Sequence, residues 1–384
     1  MNFVDRLVAL SLTHKEVDVN TLSEVARGVH KRCVEAPYPI FVLHTCNRVE
    51  AYLYDVPREF ISFIKEGYAP YIGRLVEYRG LDAARHLFRV AAGLESMLIG
   101  ETDVLGQVEE AFDRQVKAGY TRGLLKTVVE RAIRVGKRVR TETGISRGPR
   151  SLGTLAIMYV QKKLDLSTAK ICVIGLGAVG RGLVRSLREM GAGDVVAVNR
   201  TVDKGADLGV VVWALTEESV ERCLKEFDVV FTAVSAFEPV IKQLPQGARV
   251  SLIVDLGMPR NTAPGVPNVV TLEDLRSLAE EYNKSRVAEV EKAERIVEEE
   301  VQSLELFLRR RWVEERWAGL LSYWVKIAED EGERAGGGLA KTAALSAVKK
   351  SILPLINYTK YMALEKPEEA DRLISILEKA YKIK

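Results

Sequence analysis

From residue 1 to about 153, short runs alternate apolar and polar positions, as in Phe3-Val4-Asp5-Arg6-Leu7-Val8-Ala9-Leu10 and Pro39-Ile40-Phe41-Val42-Leu43, between stretches of helical period. That mixture predicts an α+β domain. Between residues 82 and 143 apolar positions recur three and four apart, in Leu87, Val90 and Leu94 and then Val104, Val108 and Phe112, so several helices are expected to pack there. From about 154 to 270, compact apolar runs alternate with helix-like segments, the pattern of a parallel sheet covered on both faces. The expected strands are Ile171-Cys172-Val173-Ile174, Val195-Val196-Ala197-Val198, Val229-Val230-Phe231-Thr232-Ala233-Val234 and Leu252-Ile253-Val254-Asp255. Beyond Leu272, and as far as about Glu331, Gly319 is the only helix breaker, while Leu275, Leu278, Tyr282, Val287, Val290, Ala293, Val297, Val301 and Leu304 keep near-helical spacing between charges. One long exposed helix follows, and its narrow apolar stripe must be buried by a further module or a partner chain. Gly336-Gly337-Gly338 then interrupts the chain before a mostly helical tail, read as a dimerisation element.

The pattern divides the chain into an N-terminal α+β domain (1–153), which the motifs below mark as the catalytic and substrate-binding one, a Rossmann-type domain (154–270), and a long helix with a helical dimerisation domain (271–384): an α/β and α+β multidomain fold. A length of 384 residues agrees with two or three cores. Apolar residues at 47% and charged residues at 28% exclude a disordered or collagen-like chain. No uncharged apolar run approaches the roughly 18 to 20 residues of a membrane span, and the start lacks a signal peptide's basic and apolar stretches, so no membrane and a cytoplasmic address are expected. Cys33, Cys46, Cys172 and Cys223 are too scattered for a zinc site or a disulfide framework, and free thiols are expected, with no metal. A formal net charge of +3 decides nothing about partners.

Gly175-Leu176-Gly177-Ala178-Val179-Gly180 matches G-x-G-x-x-G between an apolar strand and a helical period beginning at Leu183, Val184 and Leu187. At such a turn, backbone N–H groups and the helix dipole hold a pyrophosphate, and missing side chains admit it closely. The next strand ends in Asn199-Arg200-Thr201, where an NAD site carries an acid for the ribose hydroxyls. Arg200, Thr201 and Lys204 suit a 2′-phosphate instead, so NADPH is the expected cofactor; a solvated strand-end arginine is the competing reading.

His44-Thr45-Cys46-Asn47-Arg48-Val49-Glu50 follows a strand-like run, and cationic and polar neighbours there favour a thiolate, the form that attacks carbonyls. On spacing alone, an inert buried cysteine competes. The segment resembles the T-C-N-R-x-E motif of the glutamyl-tRNA reductase family. Residues 93–108, Gly93-Leu94-Glu95-Ser96-Met97-Leu98-Ile99-Gly100-Glu101 and then Val104-Leu105-Gly106-Gln107-Val108, resemble that family's G-L-x-S-x-x-x-G-E-x-x-I-L-G-Q signature. The glycine motif, Asn199-Arg200-Thr201 and Asp255-Leu256-Gly257-Met258-Pro259-Arg260 fall in the family's order, so motifs cover about the first 275 residues and the tail resembles the family by architecture.

The resemblance implies that Cys46 attacks the ester joining glutamate to tRNA, forming a thioester that hydride reduces to glutamate-1-semialdehyde, the first dedicated precursor of tetrapyrroles on this route. Arg48 matches the arginine that grips the glutamate carboxylate. Thr45, Asn47 and Ser96 would line the same pocket, and His86 would polarise the carbonyl or protonate the leaving ribose oxygen; without the resemblance it reads as a satisfied helix histidine. Glu101 and Gln107 are placed with the substrate residues, with helix start and packing as the alternative. His44 is read as structural. Two departures stand out: Gly100-Glu101-Thr102-Asp103 replaces the usual G-E-P-Q, and residues 145–153 replace a serine-rich stretch. The resemblance further implies glutamyl-tRNA as substrate, a homodimer, and transfer of the aldehyde to an aminotransferase.

Between Arg122 and Arg150 nine basic residues face only Glu130 and Glu142, a stripe that suits tRNA phosphates or, equally, a solvated helix face. Two rivals remain. A shikimate-dehydrogenase-like enzyme acting on a free metabolite shares the nucleotide motif and the Asn-Arg-Thr strand end, and would leave Cys46 dispensable. A noncatalytic dimeric tRNA-binding protein would bind NADPH without turnover.

Overall fold

The computed structural model describes residues 6–17, 19–34, 36–45, 47–101, 103–149, 151–234, 236, 238–257 and 259–381. Cys46 therefore lies outside the described residues, as do the side chains of Ala178 and Lys204. The chain forms two compact units, one of residues 9–78 and 86–297, the other of residues 79–85 and 298–384 with the described part of residues 1–8.

Strands β1 (Leu7–Thr13), β2 (Ile40–Thr45), β3 (Arg48–Tyr54) and β4 (Val76–Arg79) make a sheet in the order β2-β3-β1-β4. β2 and β3 are antiparallel with Thr45 opposite Arg48, so only residues 46 and 47 join them. Helices α1 (Val19–Val34), α2 (Arg58–Lys65), α3 (Leu81–Ala92), α4 (Asp103–Lys117) and α5 (Gly123–Glu142) complete this region. The expected helices over 82–143 are present, but α3 stops at Ala92, and Leu94 belongs to the turn that follows. Gly93, at φ 77°, ends the helix in a conformation a side chain disfavours.

The second sheet is parallel, in the order β10-β9-β8-β5-β6-β7. Its strands are β5 (Lys170–Ile174), β6 (Asp194–Asn199), β7 (Val211–Ala214), β8 (Val229–Thr232), β9 (Leu252–Asp255) and β10 (Val269–Val270), with helices α6 (Leu152–Gln161), α7 (Ala178–Glu189), α8 (Glu217–Glu226) and α9 (Leu272–Lys284) between and around them. Counted along the chain this is the 3-2-1-4-5-6 order of a doubly wound dinucleotide fold, whose order reverses between β5 and β8. Alternate residues supply two cores: Ile171, Val173, Val229 and Phe231 join α6, α7 and α9 on one face, and Cys172, Ile174, Val230 and Ile253 join α8 on the other. β7 and β10, short and partly exposed, are not among the expected strands, although β7 lies in the apolar run Val210-Val211-Val212-Trp213-Ala214-Leu215.

Two expectations are corrected. Cys172 and Cys223 are joined by a disulfide between β5 and α8, Cα atoms 6.0 Å apart, instead of being free thiols; 51 residues separate them and no sequence spacing announces the pair. The single helix expected from Leu272 is two, α9 and then α10 (Val287–Arg334), divided where Ser285 and Arg286 turn back on Tyr282 and Asn283. The break at the glycine triplet holds, with α11 (Gly338–Glu365) and α12 (Pro367–Ala380) beyond it. There Val313, Trp317 and Leu320 pack with Ile352, Ala363, Ala370 and Ile374, and the Trp317 indole donates to Thr359 Oγ1 at 2.6 Å.

Candidate active site

Along β3, Arg48, Glu50 and Tyr52 fall on one face because side chains alternate in a strand. Glu50 is fully buried and accepts four bonds. Its Oε1 receives the Ser11 hydroxyl at 2.9 Å, Arg48 Nη1 at 3.2 Å and His86 Nε2 at 2.8 Å, and its Oε2 receives the Tyr52 hydroxyl at 2.6 Å. Burial alone would raise this carboxyl's pKa, but His86 and Arg48 hold it far below the usual carboxylate range. A carboxylate so placed favours the His86 tautomer that carries its proton on Nε2 and fixes the orientation of the ring. Tyr78 stacks on the ring, centroids 4.3 Å apart.

Arg48 Nη2 donates to the Glu95 carbonyl at 2.8 Å, so both ends of its fork are anchored before any substrate arrives. A small cleft of about 40 Å³ opens here, lined by Ser11, Thr13, Lys15, Glu16, Arg48, Val76, Tyr78, His86 and Glu95. Lys15 stands 3.5 Å from Glu95, whose carboxylate also takes Arg89 Nε at 2.8 Å. Of the expected pocket residues, Arg48 and His86 line this cleft; Thr45, Asn47, Ser96, Glu101 and Gln107 are outside that lining. Thr45 Oγ1 accepts from the Asn47 N–H at 3.1 Å and so braces the two-residue connection that contains Cys46. Ser96 bonds the Glu101 side chain, and Gln107 is half-buried on α4. Burial, then Asp103, pushes the Glu101 carboxyl up to about 7, against the pull of Ser96, Arg48 and Arg140. His44 packs against His30, ring centroids 6.0 Å apart.

The basic stripe is partly committed inside the protein. Arg122 bonds the Pro37 and Gly119 carbonyls, Arg140 those of Ala91, Gly136 and Glu101, and Lys137 pairs with Glu109 at 2.7 Å. Arg134 is exposed.

At the point where the second sheet reverses order, Gly175 has φ 102°, and a Cβ there would meet the Ala233 carbonyl oxygen at 2.6 Å. A Cβ on Gly180 would lie 1.8 Å from the Gly175 oxygen, whereas one on Gly177 would meet nothing within 4 Å. Gly175 and Gly180 thus let strand and helix close on each other, and Gly177 leaves open space before the first N–H groups of α7, as a bound pyrophosphate requires. Asn199 Oδ1 accepts from the Leu176 N–H at 3.1 Å and its Nδ2 donates to the Thr201 carbonyl at 2.8 Å, so this amide braces the glycine turn against the end of β6. Arg200 and Thr201 are exposed beside it, and Val179 is 46% exposed on the first turn of α7. A dinucleotide fits these residues.

Comparison with known proteins agrees with both halves of this geometry. Residues 10–143 match the family model of the glutamyl-tRNAGlu reductase N-terminal domain, and residues 158–299 match that of shikimate / quinate 5-dehydrogenase. Glutamyl-tRNA reductase 1 of Pyrobaculum arsenaticum is 66% identical over 385 aligned positions, covering 100% of both chains. This chain belongs to the glutamyl-tRNA reductase family. Glutamyl-tRNA reductase 1 of Pyrobaculum calidifontis is 60% identical, over 98% of this chain and 99% of its own. The solved glutamyl-tRNA reductase of Methanopyrus kandleri superposes with a TM-score of 0.62 at 31% identity, over 98% of this chain and 99% of its own. The dehydrogenase model covers the nucleotide-binding part, while full-length relatives are reductases, so the metabolite-dehydrogenase rival loses its ground. Sequence reasoning missed Ser11, Lys15, Tyr78 and Glu95 in the cleft and gave Glu50 no role. The signal for Glu50 was its place two residues from Arg48, on the same strand face. Among the described residues, no helix is long and apolar enough to cross a membrane, and no cluster of His, Cys, Asp and Glu could hold a metal ion.

Proposed function

We propose that this reductase converts glutamyl-tRNA to glutamate-1-semialdehyde with NADPH, the first step of tetrapyrrole synthesis by the C5 route, through a thioester on Cys46. The observation that carries the reading is the buried Arg48, Glu50 and His86 cluster, whose Arg48 directly follows the two-residue connection that contains the cysteine. The Cys46 thiolate attacks the ester carbonyl, the ribose oxygen leaves and takes a proton, and the glutamyl group stays as a thioester. His86, held by Glu50 through Nε2, would take up on Nδ1 the proton that the Cys46 thiol releases and hand it to the ribose oxygen. Arg48, anchored at Glu50 and Glu95, offers its remaining N–H groups to the glutamate carboxylate, with Lys15 as a second cation at the cleft mouth. Ser96 and Glu101 belong to the same recognition set through their mutual bond.

The Gly175 to Gly180 turn and the start of α7 would hold the pyrophosphate, and Arg200, Thr201 and Lys204 the 2′-phosphate. A reduced nicotinamide bound there supplies hydride to the thioester carbonyl, and collapse of the thiohemiacetal returns the thiolate and frees the aldehyde. Exposed basic residues such as Arg134 suit tRNA phosphates, and Leu355, Tyr358 and Tyr361, exposed three residues apart along α11, suit a second copy of the chain. Single-turnover reduction of radiolabelled glutamyl-tRNA tests the mechanism: Cys46→Ser abolishes aldehyde formation while NADPH binding survives. Equal turnover in both proteins removes the thioester, and none in the wild type with NADPH bound leaves a binding protein.

A further inference from the structure

Residues 93–101 carry Glu95, Ser96 and Glu101 yet form no helix or strand, so their backbone groups need partners from elsewhere. Some bonds are internal: Gly100 N donates to Gly93 O at 3.0 Å and Glu101 N to Leu98 O at 3.1 Å. The partners at the centre of the loop come from the junction of α9 and α10, more than 180 residues away. Asn283 Nδ2 donates to the Met97 carbonyl at 3.0 Å, and its Oδ1 accepts from the Ile99 N–H at 2.9 Å. Arg286, only 6% exposed, donates through Nη1 to the Ile99 carbonyl and through Nη2 to the carbonyls of Arg147 at 2.7 Å and Pro149 at 3.2 Å. Leu98 is buried beneath the same junction with Leu155 and Ala279. Gly100 closes the other side, since a Cβ there would meet the Ile145 oxygen at 2.3 Å.

One guanidinium therefore ties three carbonyls of two loops, and one amide grips both polar groups flanking Leu98. Burying such a charge is costly, and desolvation lowers the Arg286 pKa. The α9–α10 break lies at these residues, so the interruption of the long helix is what brings both side chains to the loop. We propose that Asn283 and Arg286 are positioning residues for recognition of the glutamyl group, holding residues 93–101 so that Ser96, Glu101 and the Glu95 carbonyl meet Arg48. The inference rests on the assignment of Ser96 and Glu101 to substrate binding made above.

The experiment compares the full-length wild type, Arg286→Lys, Asn283→Leu and Ser96→Ala. KM and kcat for glutamyl-tRNA reduction are expressed per NADPH-binding site, which counts folded enzyme only. The rate at which iodoacetamide alkylates Cys46 is read in parallel. Displacing the loop should raise KM about tenfold or more in both junction variants, because small misplacements of binding groups are costly. NADPH affinity and the alkylation rate stay within about twofold, well under 1 kcal/mol. A lower melting temperature with KM per folded site unchanged in both junction variants overturns the inference, since that is what a merely structural role gives. A KM raised in Arg286→Lys but not in Ser96→Ala supports the positioning role and removes Ser96 from the recognition set. A KM raised in Ser96→Ala alone leaves the recognition set standing and overturns the inference.

Discussion

At the scale of single residues, the Glu101 carboxyl has the most direct consequence for pH. Its pKa is raised to about 7 by burial and Asp103, so the fold favours the protonated acid. Its contribution to stability is complete below the ordinary carboxyl range and is lost as pH rises through about 7. Ionisation would also put a negative charge next to the site proposed for the glutamate carboxylate. KM for glutamyl-tRNA should therefore rise severalfold between about pH 6 and 8, and Glu101→Gln should flatten that rise; parallel profiles for the two proteins would remove Glu101 from the pocket. Glu50 shows how far the sequence could be read. The alternation of Arg48, Glu50 and Tyr52 was visible, but polar alternation on a strand looks like a solvated face. Only the fold brings Ser11 and His86 to the same carboxylate, from 39 and 36 residues away. No local pattern encodes such a meeting.

At the scale of elements, the strand-to-helix turn after β5 separates two uses of glycine. Gly180→Ala drives a Cβ into the Gly175 carbonyl and should unseat α7 from β5, costing roughly 1–3 kcal/mol of stability as well as nucleotide binding. Gly177→Ala has room within the protein, so its melting temperature should match the wild type while the NADPH dissociation constant rises at least about tenfold, the new methyl standing where the pyrophosphate approaches. Calorimetry of both variants checks this, and an undiminished affinity in Gly177→Ala would move the phosphates away from this turn. The turn, the two buried strands on either side and the helix period after it were all legible, because each is a local pattern. The division between α9 and α10 was not, since residues 272–334 keep a helical rhythm through it; the break coincides with Asn283 and Arg286, which bond loops that are remote in sequence.

At the scale of the whole molecule, the helical tail carries the proposal of a second copy. Leu355, Tyr358 and Tyr361 are 45%, 57% and 56% exposed, a row too apolar to be left to water without reason. Sedimentation equilibrium should give a dimer for the wild type and a monomer for Tyr358→Glu/Tyr361→Glu; a dimer that survives both charges puts the interface elsewhere. The four cysteines also acquire a collective meaning. Cys172 and Cys223 are spent on each other, and burial pushes the Cys33 thiol up to about 12, where it stays protonated and unreactive. By elimination Cys46, the nucleophile proposed above, is the cysteine a thiol reagent is expected to modify in the native protein. Inactivation should then run to completion at one equivalent of alkylating agent per chain, which makes the enzyme its own active-site titrant and lets a spectroscopic label be set at the nucleophile without removing any other cysteine.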